Sequence, residues 1–469
     1  MGLGPLILWF RRDLRLADQP MLSAAVAAGR AVLPVFVLDP ETEALGAAAK
    51  WRLGLSLARF GADLAGLAAP LVLRRGEALA VLQALVAEVG ASGVWWSRLY
   101  DPASVARDTA VKAALKAAGV EARSFAGHLL FEPWDVQTGS GTEYKVYTPF
   151  WNSVRGRDVA APALAPVRLR GAGPVASDLL EDWRLGAAMR RGADVMLAHQ
   201  AVGESAARSR LGAFLDGPVE GYREDRNLPG IVATSGLSEN LTYGEIGLRE
   251  VWHAGLAARD RGAAGAETFL KEVVWREFAY HLLHHFPRLA TDSWKPGWAD
   301  FGWQGDSPEA ERWRRGMTGE PFVDAGLREM YVTGKMHNRV RMVVASYLTK
   351  HLMTHWRLGL DWFADCLTDW DPAANAMGWQ WVAGCGPDAS PYFRVFNPEG
   401  QAEKFDANGA YRRRWLAEGQ LEPEAEGLSY FEAVPKAWGL DPRAPYPHRM
   451  IALDAGRKRA LAAYEARKA

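Results

Sequence analysis

The chain has 469 residues, in which Lys plus Arg and Asp plus Glu balance at 55 each. Single cores stop growing near about 250–300 residues, so we expect two or three domains. The balanced charge excludes a global positive field, and any binding to nucleic acid would need a local basic patch. Only two cysteines are present, Cys366 and Cys385, which excludes a disulfide framework and favours a reducing cytoplasm.

The first 130 residues alternate short apolar runs with Ala- and Leu-rich stretches. The apolar runs read LILWF, AVLPVFVLD, PLVLRR, GVWWSRL and VEARSF. This alternation predicts a parallel sheet with helices on both faces, which is a doubly wound α/β domain over residues 1–130. The first strand is followed by WFRRDLR instead of G-x-G-x-x-G, so the usual dinucleotide fingerprint is not present.

The pattern then loosens over residues 131–202, where prolines and the cluster TGSGTEY predict a connector between domains. From residue 203 to residue 469 helical periodicity dominates, which predicts an all-helical C-terminal domain. One predicted helix face consists of Phe269, Val273, Val274, Phe278 and Leu282. The closing segment ALDAGRKRALAAYEARKA is predicted to form an amphipathic, charge-mixed helix.

No segment approaches the ~18 apolar residues that a membrane helix needs, and the first apolar run is too short for a signal peptide. We therefore expect a cytoplasmic monomer without a membrane role. His351 and His355 have the i, i+4 spacing of a zinc pair, but Leu352 stands where the HExxH motif carries glutamate. No metal site is predicted.

The segment from Lys335 to Asp406 concentrates residues that carry chemistry. It contains MHNRVRM, then DWDPAANAMGWQW, then SPYFRVFNPEGQAEKFD. The chain also has 20 tryptophans, more than its 17 phenylalanines or 13 tyrosines. Upstream, TSGLS offers hydroxyl groups that either hold a phosphate at a helix start or simply cap the helix.

Together with WFRRDLR, these motifs resemble the DNA photolyase/cryptochrome family, and most closely its microbial photolyases for cyclobutane pyrimidine dimers. The resemblance covers nearly the whole chain. It implies a Rossmann-like antenna domain, an FAD-binding helical domain and ultraviolet-damaged DNA as partner. The implied reaction is electron transfer from excited, reduced anionic FADH⁻ to a flipped-out lesion. Alternatives are a cryptochrome-type blue-light sensor, a photolyase for (6-4) photoproducts, and an electron-transfer flavoprotein that does not act on DNA.

The resemblance implies a flavin site in which Asp369 pairs with Arg341 at the isoalloxazine edge and Asn375 faces the flavin N5. The predicted cofactor-binding residues are Tyr222, Thr234, Ser235, Gly236, Leu237, Ser238, Arg341, Asp369, Asp371 and Asn375. An electron-hopping triad is implied at Trp303, Trp356 and Trp379. Without the resemblance, D-W-D would be interpreted as a solvated turn and each tryptophan as a core residue.

The resemblance also implies a lesion pocket, in which Glu272 and Asn338 bond the base edges and two indoles clamp the bases. The predicted DNA- and lesion-binding residues are Arg226, Glu272, Trp275, Asn338, Arg339, Met342, Trp381 and Arg394. Of these, Glu272 and Asn338, with Asn375, are the predicted catalytic residues. The pair His337-Asn338 replaces the His-His pair typical of (6-4) photolyases, which favours cyclobutane dimers.

A second, antenna chromophore is implied for the α/β domain. Ala103 and Ser104 stand where folate-binding relatives carry an Asn-Glu pair, which argues against methenyl-folate held in that way. A flavin, a deazaflavin, a differently held folate or an empty site stay open.

Overall fold

The structure is a computed structural model that describes residues 4–299, 301–388 and 393–467. Its sheet has five parallel strands in the order β3-β2-β1-β4-β5. The strands are β1 Leu6–Phe10, β2 Val32–Leu38, β3 Val72–Arg75, β4 Gly93–Ser97 and β5 Glu121–Phe125. The helices of this region are α1 Pro20–Ala27, α2 Pro40–Glu43, α3 Ala47–Gly66, α4 Ala78–Val89 and α5 Pro102–Ala117.

Strand β1 shows why this sheet is covered on both faces. Leu6, Leu8 and Phe10 belong to the apolar cluster on one face, whereas Ile7 and Trp9 belong to the cluster on the other. All five side chains are fully buried, as expected for a central parallel strand between helical layers. The predicted doubly wound α/β domain is therefore confirmed.

The remainder of the described chain is helical apart from isolated bridges. Its helices are α6 Tyr147–Val154, α7 Gly192–Leu197, α8 Glu204–Leu215, α9 Tyr222–Asp225, α10 Ser238–Thr242, α11 Leu248–Asp260, α12 Ala266–His285, α13 Pro308–Arg314, α14 Pro321–Thr333, α15 Asn338–Ser346, α16 Trp356–Cys366, α17 Pro372–Ala383, α18 Pro398–Phe405, α19 Ala410–Trp415, α20 Ala425–Ala433 and α21 Leu453–Ala466. A π-helical turn over Tyr347–His351 follows α15. Short 3₁₀ turns lie at Pro133–Asp135, Leu180–Trp183, Ala187–Met189, Pro287–Ala290 and Lys436–Trp438.

Helix α12 is the centre of the helical region, and its predicted apolar face is buried as expected. Helix α6 of the connector, which the sequence pattern does not predict, packs against it: the Phe150 and Phe278 rings lie 5.3 Å apart. The predicted closing helix is confirmed as α21. No helix within the described residues is long and apolar enough to cross a membrane.

Glu277 joins α12 to the segment that leaves the α/β region. Its Oε2 accepts hydrogen bonds from the backbone N–H groups of Leu130, at 2.8 Å, and Phe131, at 3.1 Å. The side chain is almost fully buried, and this burial raises the pKa of Glu277 to about 7 despite the opposing charge of Arg276. A buried carboxyl group therefore titrates near neutrality at this junction.

We expect Glu277→Gln to flatten the pH dependence of unfolding. The unfolded glutamate releases its proton near pH 4.5 and the folded one near pH 7, so wild-type stability falls as pH rises through that window. One pKa unit corresponds to about 1.4 kcal/mol, so the rise from 4.5 to about 7 predicts a loss of about 3 kcal/mol from this group. Urea unfolding at both ends of the window measures the difference, with the exposed Glu267→Gln on the same helix as control. Parallel pH profiles for wild type and Glu277→Gln would contradict the assignment.

Candidate functional site

A cavity of about 330 Å³ lies among helices α10, α12, α15, α16 and α17. This volume is in the range of small-molecule sites. Twelve of the predicted site residues line it: Tyr222, Ser235, Leu237, Ser238, Glu272, Asn338, Arg341, Met342, Asp369, Asp371, Asn375 and Trp379. The predicted flavin residues and the predicted lesion residues thus share one cavity wall.

The ion pair between Arg341 and Asp369 forms one edge of the cavity. Arg341 Nη2 donates to both carboxylate oxygens of Asp369, at 2.8 and 3.0 Å, while its Nε donates to the Met336 carbonyl at 2.7 Å. Asp369 is 6% exposed, so this ion pair lies in a nearly dry place. The pairing that the resemblance implies is present.

Asp371 and Asn375 form the next part of the wall. Asp371 caps α17 by accepting the Ala374 backbone N–H at 2.8 Å, and its other oxygen accepts the Tyr280 hydroxyl at 2.7 Å. Asn375 Nδ2 donates to the Asp371 carbonyl at 2.9 Å, which fixes the amide at the cavity. Both carboxylates of D-W-D are buried, so the alternative of a solvated turn is wrong.

The TSGLS segment differs from a simple helix cap. Helix α10 begins at Ser238 and spans five residues, and its N-cap residue, Leu237, makes no side-chain cap. Ser235 and Ser238 line the cavity, whereas Thr234 and Gly236 are exposed and lie outside the lining. The segment therefore presents one hydroxyl group to the cavity before the helix, from Ser235, and one at the first helical residue, Ser238.

The three tryptophans of the predicted triad differ in exposure. Trp379 lines the cavity, and its indole lies so close to Gly359 that a Cβ there would collide with it. Gly359 is one turn after Trp356, which is fully buried at the start of α16. Trp303 is partly exposed. The centroid of the His355 ring lies 5.5 Å from that of Trp303 and 5.6 Å from that of Trp356.

Glu272 and Arg226 form an ion pair on the other side of the cavity. Sequence reasoning assigned both residues to DNA and did not predict that they pair. Asn338 is exposed at the first position of α15, and His337 caps that helix by accepting the Arg339 N–H at 3.2 Å. Met342 lies one turn further along α15 and lines the cavity.

The two candidate clamp indoles lie outside the cavity lining, although both belong to helices that line it. Trp275 follows Glu272 by one turn in α12 and stacks on Tyr147 at 3.6 Å. Trp381 follows Trp379 in α17, and its Nε1–H donates to the Asp388 carbonyl at 3.1 Å. Each indole is partly exposed.

Three arginines form a cationic cluster near Asn338. Burial, together with the charges of Arg226 and Arg394, lowers the pKa of Arg339. Arg339 also donates to Asn227 Oδ1 at 2.6 Å and lies over the Phe405 ring. The three arginines that were predicted to contact DNA are therefore neighbours in the structure.

Sequence reasoning missed two tyrosines of this region. Tyr280 holds Asp371, and Tyr147 supports Trp275. The signal for Tyr147 was the spacing of Tyr147, Phe150 and Trp151, which is typical of one buried helix face. No three His, Cys, Asp or Glu side chains of the described residues lie close enough together to hold a metal ion.

Comparisons with known proteins agree with this geometry. Residues 6–166 match the family model of DNA photolyase, and residues 269–466 match that of the FAD binding domain of DNA photolyase, which supports FAD as the cofactor of the helical domain. Two curated relatives span nearly all of this chain. The deoxyribodipyrimidine photo-lyase of Agrobacterium fabrum is 45% identical over 99% of this chain and 98% of its own length. Cryptochrome-1 of Arabidopsis thaliana is 34% identical over 97% of this chain and 69% of its own.

The crystal structure of a class III photolyase from Agrobacterium tumefaciens superposes with a TM-score of 0.91 at 43% identity. That comparison covers 100% of this chain and 98% of the other. The chain therefore belongs to the DNA photolyase/cryptochrome family.

Proposed function

We propose that this protein is a light-driven deoxyribodipyrimidine photo-lyase that splits cyclobutane pyrimidine dimers in DNA. The observation that carries the proposal is the shared cavity wall. Asp369 and Asn375, the flavin-edge residues, line the same cavity as Glu272 and Asn338, the lesion residues. A cofactor and a flipped-out dimer held there would be neighbours, as electron transfer requires. Relatives named as photo-lyases over the whole chain length support the same activity.

The chemistry of the cavity wall fits a flavin. FAD, when bound in its reduced form, supplies the electron that opens the dimer. Asp369, fixed by Arg341, offers a carboxylate that accepts a ring N–H, and Ser235 and Ser238 offer hydroxyl donors to the diphosphate. The neutral amide of Asn375 is a poor proton source, which favours an anionic reduced cofactor.

On the lesion side, the ion pair between Arg226 and Glu272 has to open before Glu272 can bond a base edge. A DNA phosphate near Arg226, Arg339 and Arg394 would bind the Arg226 guanidinium. The Glu272 carboxylate would then be free to bond a base edge. Phosphate contacts position the strand, whereas Glu272 and Asn338 then read the bases. Photolyases as a class act on nucleotides that are flipped out of the stack, and a dimer that already stacks poorly should flip more readily than an intact base.

His337 supports cyclobutane dimers over (6-4) photoproducts. Burial, followed by the charges of Arg339, Arg341 and Arg226, lowers the pKa of His337 to about 4. The imidazole is therefore neutral at pH 7, and its Nδ1 is already used as a helix cap. A residue in this state is a poor proton donor to a lesion.

The experiment that tests the proposal uses the full chain with chemically reduced flavin. Oligonucleotides that carry one cyclobutane dimer or one (6-4) photoproduct are incubated in blue light and in darkness. We expect repair of the cyclobutane dimer alone, and only in light. Repair of neither lesion would refute the activity and favour the cryptochrome-type sensor; repair of the (6-4) lesion alone would refute the specificity.

Trp381→Ala is expected to weaken binding to a dimer-containing oligonucleotide by about 1–3 kcal/mol, the usual contribution of one base stack. Dark titration of wild type and variant with damaged and undamaged strands measures the difference. Trp134→Ala removes an exposed indole of the connector and serves as control. Unchanged affinity for the dimer would remove Trp381 from the lesion pocket.

The antenna chromophore stays a prediction without a chemical identity. Ala103 and Ser104 lie in the first turn of α5, where the Ser104 N–H donates to Asp101 Oδ1 at 3.0 Å. These two side chains offer neither an amide nor a carboxylate to a folate. Release of the bound cofactors from purified protein and their mass analysis would identify the chromophore.

A further inference from the structure

One face of Trp275 is covered by a ring from the connector. Tyr147 of α6 stacks on it with ring centroids 3.6 Å apart and planes only 6° from parallel. Both rings belong to the apolar cluster around α12, and their parallel contact covers one face of the indole. Because Tyr147 covers one face of the Trp275 indole, the opposite face is the one that can meet a base.

Tyr147 is itself held in place from two sides. Its hydroxyl donates to the Lys271 carbonyl at 2.6 Å, one turn before Trp275 in the same helix. Burial raises the pKa of the Asp388 carboxyl group, and the neighbouring Tyr147 backbone N–H opposes this rise, so the carboxyl group lies beside the start of α6. The Tyr147 side chain is 7% exposed, so the ring has little freedom to turn.

Asp388 reaches the second indole. Its backbone carbonyl accepts the Trp381 Nε1–H at 3.1 Å, which restricts rotation of that indole about its axis. The backbone of Asp388 has φ +49°, a left-handed conformation that aspartate and asparagine adopt more readily than other side chains. Asp388 thus faces the Tyr147 backbone with its side chain and bonds Trp381 with its backbone.

We propose that Tyr147 and Asp388 form a brace that fixes the relative orientation of Trp275 and Trp381 and so determines how tightly the protein holds the flipped dimer. This inference rests on the proposed function, because it assigns the two indoles to the lesion. Tyr147 and Asp388 are positioning residues: they act on the lesion through the indoles and not by touching the flavin. The brace sets affinity, whereas the electron-transfer step depends on the cavity wall.

The first test compares Tyr147→Ala, Tyr147→Phe and the control Tyr144→Ala. Phenylalanine keeps the stacked ring and loses only the bond to Lys271, while Tyr144 packs on Phe150 and His281. A stacked aromatic pair contributes enough that its loss should raise the Kd for a dimer-containing oligonucleotide about fivefold. We expect that rise in Tyr147→Ala, near-wild-type binding in the other two, and unchanged repair per absorbed photon at saturating DNA in all three.

The split between affinity and repair per photon distinguishes a brace from a general packing role, since a loosened fold would lower both. Equal Kd values for Tyr147→Ala and wild type would overturn the inference. If Tyr147→Phe bound the dimer as weakly as Tyr147→Ala, the stacked ring would have no role in affinity. If wild type itself shows no preference for damaged strands, the proposed function fails before any variant is compared.

The Asp388 variants provide the second test and decide the matter if Tyr147→Ala does not fold. Asparagine keeps an acceptor for the Tyr147 N–H and tolerates the left-handed backbone, whereas alanine keeps neither property. We expect weaker dimer binding in Asp388→Ala and recovery in Asp388→Asn, again without a change in repair per photon at saturation. Wild-type affinity in Asp388→Ala would show that the brace is not needed.

Discussion

Trp379→Phe is expected to stop light-driven reduction of the oxidised flavin while chemically reduced enzyme still repairs dimers. Of the three triad indoles, Trp379 is the one that lines the cavity, so in the predicted relay it is the one that passes the electron to the flavin. Phenylalanine preserves much of the packing on Gly359 but is far harder to oxidise than indole. Because repair uses an electron that is already on the flavin, it does not need this relay.

Absorbance changes under blue light with a reductant in solution measure flavin reduction, and repair is measured separately after chemical reduction in the dark. Trp313→Phe is the matched control, because Trp313 is equally buried and meets Trp379 edge-on with ring centroids 6.2 Å apart. We expect this control to keep photoreduction. Loss of photoreduction in Trp313→Phe but not in Trp379→Phe would show that the electron takes a different route; loss of repair in Trp379→Phe would mean that Trp379 holds the lesion or the flavin.

The fold could be predicted because its signals are local and repeated. Strands β1, β2 and β4 are short apolar runs, and α12 repeats its apolar positions over five turns, so period and composition suffice. Helix α6 escaped prediction because it has eight residues, includes Pro149, and depends on packing against α12. Tyr147, on that helix, was therefore absent from every predicted site.

Pairings between distant residues were accessible only where the resemblance supplied them. Arg341 and Asp369 were expected to pair, and they do. Glu272 and Arg226 were expected to face DNA, and in the free protein they form an ion pair with each other. Residue type alone predicts that a carboxylate and a guanidinium will find partners, but the choice between a partner within the chain and one in the ligand depends on what is bound.

We propose that this choice gives the predicted lesion pocket a closed state and an open state. In the absence of DNA the pair between Arg226 and Glu272 neutralises two partly exposed charges at the cavity. Burial, followed by the neighbouring charges of Arg226 and Arg394, lowers the pKa of Arg339, so an incoming phosphate would relieve repulsion and compete for Arg226. Binding of the strand and release of the Glu272 carboxylate are thereby coupled.

Arg341→Met is expected to lower both the stability of the protein and its retention of FAD. It leaves the Asp369 carboxylate, whose side chain is 4% exposed, without its partner. Removal of one member of a buried ion pair is strongly destabilising, and we expect the free energy of unfolding to fall by about 3 kcal/mol. Chemical denaturation measures the loss, and the flavin absorbance that survives gel filtration measures FAD retention.

The double variant Arg341→Met with Asp369→Asn separates folding from cofactor binding. Removing both charges removes the uncompensated carboxylate, and replacement of a buried pair by neutral groups is often close to neutral for stability. We therefore expect stability to return towards wild type in the double variant. FAD retention should stay low, since an asparagine amide no longer supplies the charged acceptor that the carboxylate offers to a ring N–H. Recovery of both properties together would show that Asp369 and Arg341 support the fold and make no contact of their own with the flavin.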